Sequence, residues 1–215
     1  TGLRILLATV ARTAAQHDRI IEPILSIWDS HHLRVSVRVR RSLEGASIVE
    51  ENLGWRIAEP TAEEAGDEHG CGHILVPLST PVNLSDKRVS GPLWIGQIGD
   101  EEVMSSMTEE QALALCGPTE ELVDEPRELR LRRRAIGRSV RHIAGEAKAI
   151  HSGNLIIVDE LASRLKLPAP PSPTKLAAAL SELGHAATVA SYGKPAIRTD
   201  APWDEIVSAT RLWVK

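Results

Sequence analysis

The chain has 215 residues, of which 42% are apolar and 25% charged, with a formal net charge of −4. That is enough for one large domain or two small ones, and no apolar run approaches the roughly 20 residues a membrane helix needs. Phe is absent and Tyr occurs once, so the core must be built from Leu, Ile, Val and Ala. Cys71 and Cys116 lack a partner pattern, which points to a reducing, cytoplasmic setting rather than a disulfide scaffold.

The first residue is Thr1, and a helical pattern follows at once without signal-peptide architecture, so the chain is expected to be cut from something longer. Leu3, Leu6, Leu7, Val10 and Ala14 recur at helical spacing, leaving Arg4 and Arg12 for the outer face. An apolar stretch at 20–28 precedes a segment in which Leu33, Val35, Val37 and Val39 alternate with Arg34, Ser36, Arg38 and Arg40. Period two over that length predicts a strand with one apolar and one basic face. Residues 43–88 are acidic, Gly-rich and broken by prolines, and predict short strands and long loops.

After residue 100 the pattern is helical. Thr108 with Gln111 forms a capping box, and Gly117 ends that helix. A longer helix is expected from Pro126 towards His151, and Asn154 is placed to cap another carrying Ile156, Leu161 and Leu165. Prolines at 168–173 enforce an extended connection. Ser172 and Pro173 open a further helix and Gly184 closes it. Residues 186–199 flank Gly193 as a hairpin, after which Asp200 is expected to cap a last helix carrying Ile206, Ala209 and Trp213. Two helices, a hairpin and a helix resemble a winged-helix arrangement.

Charge distribution is more informative than net charge. Arg130, Arg134, Arg138 and Arg141 fall on one helical face over roughly 16 Å, where like charges repel unless an anion lies across them. Arg34, Arg38 and Arg40 form a second basic footprint. The bland alternative is a solvated face balanced by the acidic residues just before it. His69, Cys71 and His73 supply potential metal donors, but no second pair completes a four-ligand site, so no metal is assigned. No phosphate-cradling Gly loop, nucleophile elbow or Gly-rich cofactor fingerprint occurs, and no catalytic residue is assigned.

Four blocks, taken in order, resemble the C-terminal half of the archaeal and eukaryotic tRNA guanine-26 N2-dimethyltransferase family: residues 2–39; GPLWIGQIGD at 91–100; residues 161–187; and KPAIRTDAPWDEI at 194–206. The resemblance implies an α/β (α+β) fold, with residues 1–104 as the end of a Rossmann-like methyltransferase sheet carrying a β-rich insertion. Residues 105–215 would be a mostly helical, winged-helix-like tRNA-binding domain. It implies methyl transfer from S-adenosylmethionine to guanine N2, with the cofactor and catalytic motifs in a preceding region, so this chain alone is expected to be inactive. tRNA is the implied partner, with no obligate protein partner and no membrane.

Departures matter too. Many relatives carry two cysteine pairs before the Gly-Pro-Leu-Trp segment, whereas here only Cys71 remains. Where relatives often have Ser or Thr, His, Phe, this chain has Ser191, Tyr192 and Gly193, leaving Tyr192 to stack on RNA; Lys194 lies beside it, and Arg198 replaces a frequent Lys. Gly91 and Gly96 would let the backbone turn while Trp94 anchors the junction between the two domains. The competing reading of Trp94 is an ordinary core tryptophan. A non-enzymatic winged-helix nucleic-acid-binding protein is the alternative to the enzyme, and a module whose basic helix meets an acidic protein is a third.

Overall fold

The computed structural model describes residues 1–29, 32–58, 73–117, 126–151, 154–191 and 194–213. The opening apolar spacing forms helix α1, Gly2–Ala15, which buries Leu7, Ala8 and Ala11. Arg4 lies on that same face, at i, i+3, i+4 and i+7 with those residues, and is buried rather than on the outer face expected for it. Strand β1, Arg19–Asp29, pairs antiparallel with β2, His32–Arg41, in register from Arg19 opposite Arg41 to Asp29 opposite His32. Pro23 has no N–H to donate, and the register shifts between Pro23 and Leu25. The Ile24 carbonyl within that irregularity accepts the Asp100 N–H at 3.0 Å. The predicted alternation of β2 holds at its centre, where Val35 and Val37 are half-buried and Arg34, Ser36 and Arg38 exposed.

Where short strands and long loops were expected, the strands are present and pair into one sheet, preceded by a helix that was not expected. Helix α2, Gly45–Glu51, buries Val49. Strands β3 (Leu53–Ala58), β4 (His73–Pro77) and β5 (Val89–Trp94) form an antiparallel sheet in the order β4-β3-β5. Pairing across a long connection is what a local reading of turn residues misses. Gly54 sits in the central strand where a Cβ would come within 2.0 Å of the Val76 carbonyl oxygen, so only glycine permits that approach.

Helix α3, Glu101–Ser105, is capped by the Asp100 carboxylate, which accepts the Val103 N–H at 3.0 Å. Helix α4, Glu109–Cys116, starts with the expected capping box: Thr108 Oγ1 accepts from the Gln111 N–H, and Gln111 Oε1 accepts from the Thr108 N–H. Helix α5, Arg127–Glu146, runs into a 3₁₀ turn at Ala147–Ala149.

Asn154 does not cap a helix. Asn154–Ile157 is strand β6, paired with β8, because a short apolar run suits either state and a tertiary partner decided it. Helix α6 follows at Val158–Arg164 and α7 at Pro173–Glu182; Gly184, at φ +95°, ends the turn after α7. Strands β7 (Ala187–Ser191) and β8 (Pro195–Thr199) form the expected hairpin, giving a sheet of order β6-β8-β7. Helix α8 is Trp203–Trp213. Asp200 is not its cap: its carboxylate accepts the Ala186 N–H at 2.9 Å and its N–H returns to the Ala186 carbonyl, extending the β7–β8 ladder by one step.

The fold is thus a mixture of helices and small antiparallel sheets around two buried clusters. The first joins Leu7, Leu53, Trp94 and Met104 with Ala147 and Ile150 from beyond α5. The second gathers Ile156, Leu161, Leu176, Leu180, Ile197 and Ile206. No helix among the described residues is long and apolar enough to cross a membrane.

Candidate nucleic-acid interface

Helix α5 turns Ile136, Val140 and Ile143 inward and leaves Arg130, Arg134 and Arg138 exposed. None of these three arginines meets an acidic partner among the described residues. Arg141, on the same stripe, is held by an ion pair with Glu109 of α4. Gly137 explains how the two helices come so close: a Cβ there would lie 2.2 Å from Glu109 Oε1. The stripe is therefore three free guanidinium groups and a fourth already engaged.

The basic face of β2 is more nearly balanced. Glu22, opposite Arg38 in register, reaches both Arg38 at 3.3 Å and Arg40 at 2.9 Å. Arg34 lies opposite Ile27 and is exposed. Exposed ion pairs of this kind contribute about 0–1 kcal/mol each, so Glu22 lowers the local potential without locking the arginines.

Arg198 requires correction as an RNA contact. It is 4% exposed, and its Nε donates to Glu146 Oε2 at 2.7 Å. The alternation that puts the neighbouring Ile197 into the second cluster does not turn Arg198 outward, because the C-terminal end of α5 covers that face of β8. Lys194, in contrast, is exposed at the hairpin, 3.8 Å from Glu160. Tyr192, Cys71 and His69 lie outside the described residues.

Trp94 is 4% exposed within the first cluster, and its indole N–H donates to the Gln97 carbonyl at 2.7 Å. Arg4, one helix away, donates to the Trp94 and Gly96 carbonyls at 3.0 and 2.9 Å. Gly91 adopts φ +144°, open only to glycine, and a Cβ on Gly96 would meet Asn52 Oδ1 at 2.4 Å. Burial, then the charge of Arg198, pulls the Arg4 guanidinium down to about 10. The helical position of Arg4 beside three buried residues was the one sequence signal for this latch.

The family model of N2,N2-dimethylguanosine tRNA methyltransferases matches residues 1–211. The chain belongs to this family. A tRNA (guanine(26)-N(2))-dimethyltransferase of Aeropyrum pernix is 30% identical over 210 residues, covering 97% of this chain and 47% of the relative. That of Thermoplasma volcanium is 27% identical, covering 100% of this chain and 48% of its own length. The chain thus spans about half the length of the curated family members it matches. Trm1 from Pyrococcus horikoshii, solved in complex with S-adenosyl-L-methionine, shares the fold at TM-score 0.72 and 22% identity, over 97% of this chain and 48% of that one.

Gly54, Gly96 and Gly99 are closely approached by the chain's own Val76, Asn52, Ile150 and Met104, so the backbone at these three glycines is not open to a ligand.

Proposed function

We propose that this chain is the tRNA-positioning part of a tRNA guanine-26 N2-dimethyltransferase whose S-adenosylmethionine site is supplied by another part of the full protein. Family membership across residues 1–211 supports the reaction class. The observation that carries the positioning role is the row of exposed arginines on α5 in a chain of net charge −4. Guanine N2 is a weak nucleophile because its lone pair is delocalised into the ring. Its methylation depends on holding the nucleotide in line with the donor methyl, and a firm grip on the surrounding phosphates contributes to that alignment.

In this reading residues 1–104 close the methyltransferase domain and residues 105–215 bind tRNA in the cytoplasm. Trp94 anchors the junction, a role supported by the shared cluster of Trp94, Ala147 and Ile150. The order α5-β6-α6-α7-β7-β8, with sheet order β6-β8-β7, supports a winged-helix assignment for the second part. Conventional winged helices insert the helix corresponding to α7 into a groove. Here α7 carries Lys175 as its one cation, whereas α5 carries seven arginines in 20 residues, so tRNA is read as lying across α5, with Lys194 of the hairpin and Tyr192 near it in sequence.

Binding of an unmodified tRNA transcript and of duplex DNA, measured across a salt series, tests this. Replacing Arg130, Arg134 and Arg138 by Gln is expected to weaken tRNA binding and flatten the log–log salt slope by about 2–3. An unchanged slope would remove α5 from the interface. Duplex DNA binding as tightly as tRNA would favour the non-enzymatic winged-helix reading.

A further inference from the structure

Arg56 is the central feature of a second cationic site. It pairs with Leu75 across β3–β4 while His73 pairs with Ala58, so Arg56 and His73 are diagonal neighbours on one sheet face. On the other side of Ala58, whose N–H donates to the Arg88 carbonyl, Arg88 is forked onto Asp86 with contacts of 2.7–3.2 Å. Arg88 thus has its counterion. The half-buried Arg56 guanidinium has no ion pair among the described residues, and Arg4 is committed to two carbonyls.

Partial burial of a guanidinium beside an imidazole is unfavourable without an anion. The cost is visible at His73, where burial, then Arg56 and Arg4, hold the imidazole down to about 4. We propose that Arg56 and His73 form a phosphate-binding subsite on the β3–β4 face. A phosphate there meets the Arg56 fork and draws a proton onto His73, turning the imidazole into a second donor. The subsite stands apart from the α5 reading; only the assignment of its phosphate to a tRNA backbone rests on that reading.

The test follows the His73 ring signal by NMR through a pH titration of this chain, assigned with His73→Gln, in phosphate-free buffer, with inorganic phosphate, and with unmodified tRNA transcript. Phosphate is expected to move the His73 titration upward from about 4, and Arg56→Gln to weaken phosphate binding about tenfold or more, as loss of a charge-assisted hydrogen bond implies. Arg56→Lys retains the charge and keeps part of the response, which guards against a mere folding defect. A titration that phosphate does not move, or moves equally in Arg56→Gln, overturns the subsite. So does a His73 that already titrates near 6.5 without phosphate, since a carboxylate of the chain would then occupy it. A shift by tRNA at concentrations where free phosphate has no effect assigns the site to a nucleic-acid backbone; a shift by free phosphate alone assigns it to a small anion. Replacing Arg130, Arg134 and Arg138 separates the two proposals, because it removes α5 binding and leaves the phosphate response of His73 intact.

Discussion

The seam between the two clusters and the outer face of α5 both depend on arginine, and they use it in opposite ways. At the seam Arg198 is enclosed with Glu146, and Arg4 spends its guanidinium on two backbone carbonyls. On α5, Arg130, Arg134 and Arg138 stand in solvent without acidic partners among the described residues. The seam arginines hold the fold, and the α5 arginines are available to a ligand. What separates them is enclosure, since an arginine whose hydrogen bonds are already made inside the protein has little left to offer RNA.

The largest effect that would break this contrast is at Glu146, whose side chain is 1% exposed against 5% for Arg198. Glu146→Gln leaves the arginine buried without its counter-charge and is expected to cost about 3–5 kcal/mol, lowering Tm by roughly 10 °C. Pairing Glu146→Leu with Arg198→Met should recover most of the loss, because two buried charges leave together. Urea and thermal unfolding give both numbers. A change below about 0.5 kcal/mol, the range ordinary for a surface site, would mean that the seam pair is as dispensable as an exposed one.

Much of this was legible from local chemistry. The Thr108–Gln111 box, the centre of the β2 alternation, the Gly184 turn and the β7–β8 hairpin formed as expected, because each depends on residues close in sequence. The failures share a cause. Asn154 became strand because β8 was there to pair with it, Asp200 was taken by Ala186, and Arg198 was covered by the end of α5. Arg56 and His73 carry no spacing signal, since only the β3–β4 register brings them together. The membership of the α5 stripe was readable from helical periodicity, but the capture of Arg141 by Glu109 was not.

A smaller effect sharpens the comparison at a third place. His73 is neutral when folded down to about 4, whereas its ordinary value is 6.5. Between those values the unfolded chain binds the additional proton, so stability is retained above pH 6.5 and falls as pH drops towards about 4. In phosphate-free buffer His73→Gln should flatten that part of the stability profile, measured by urea unfolding at several pH values. An unchanged profile would show that His73 does not bear the burial and charge cost ascribed to it.

The smallest effect concerns Gly137, where two opposing contributions nearly cancel. Alanine in a helix interior gains about 0.5–1 kcal/mol over glycine, which favours Gly137→Ala. Its Cβ, however, meets Glu109 Oε1, the far end of a flexible side chain that can swing away only by releasing Arg141. An exposed ion pair is worth about 0–1 kcal/mol, so net stability should stay within about 0.5 kcal/mol of the starting protein. tRNA affinity need not cancel in the same way. Once freed, Arg141 joins Arg130, Arg134 and Arg138, and the salt dependence of binding should steepen by up to about one phosphate contact. Stability that holds while the slope steepens would show that α4 withholds one arginine from the face. A slope that stays the same would show that Arg141 belongs to the packing of α4 on α5, and that the ligand face ends at Arg138.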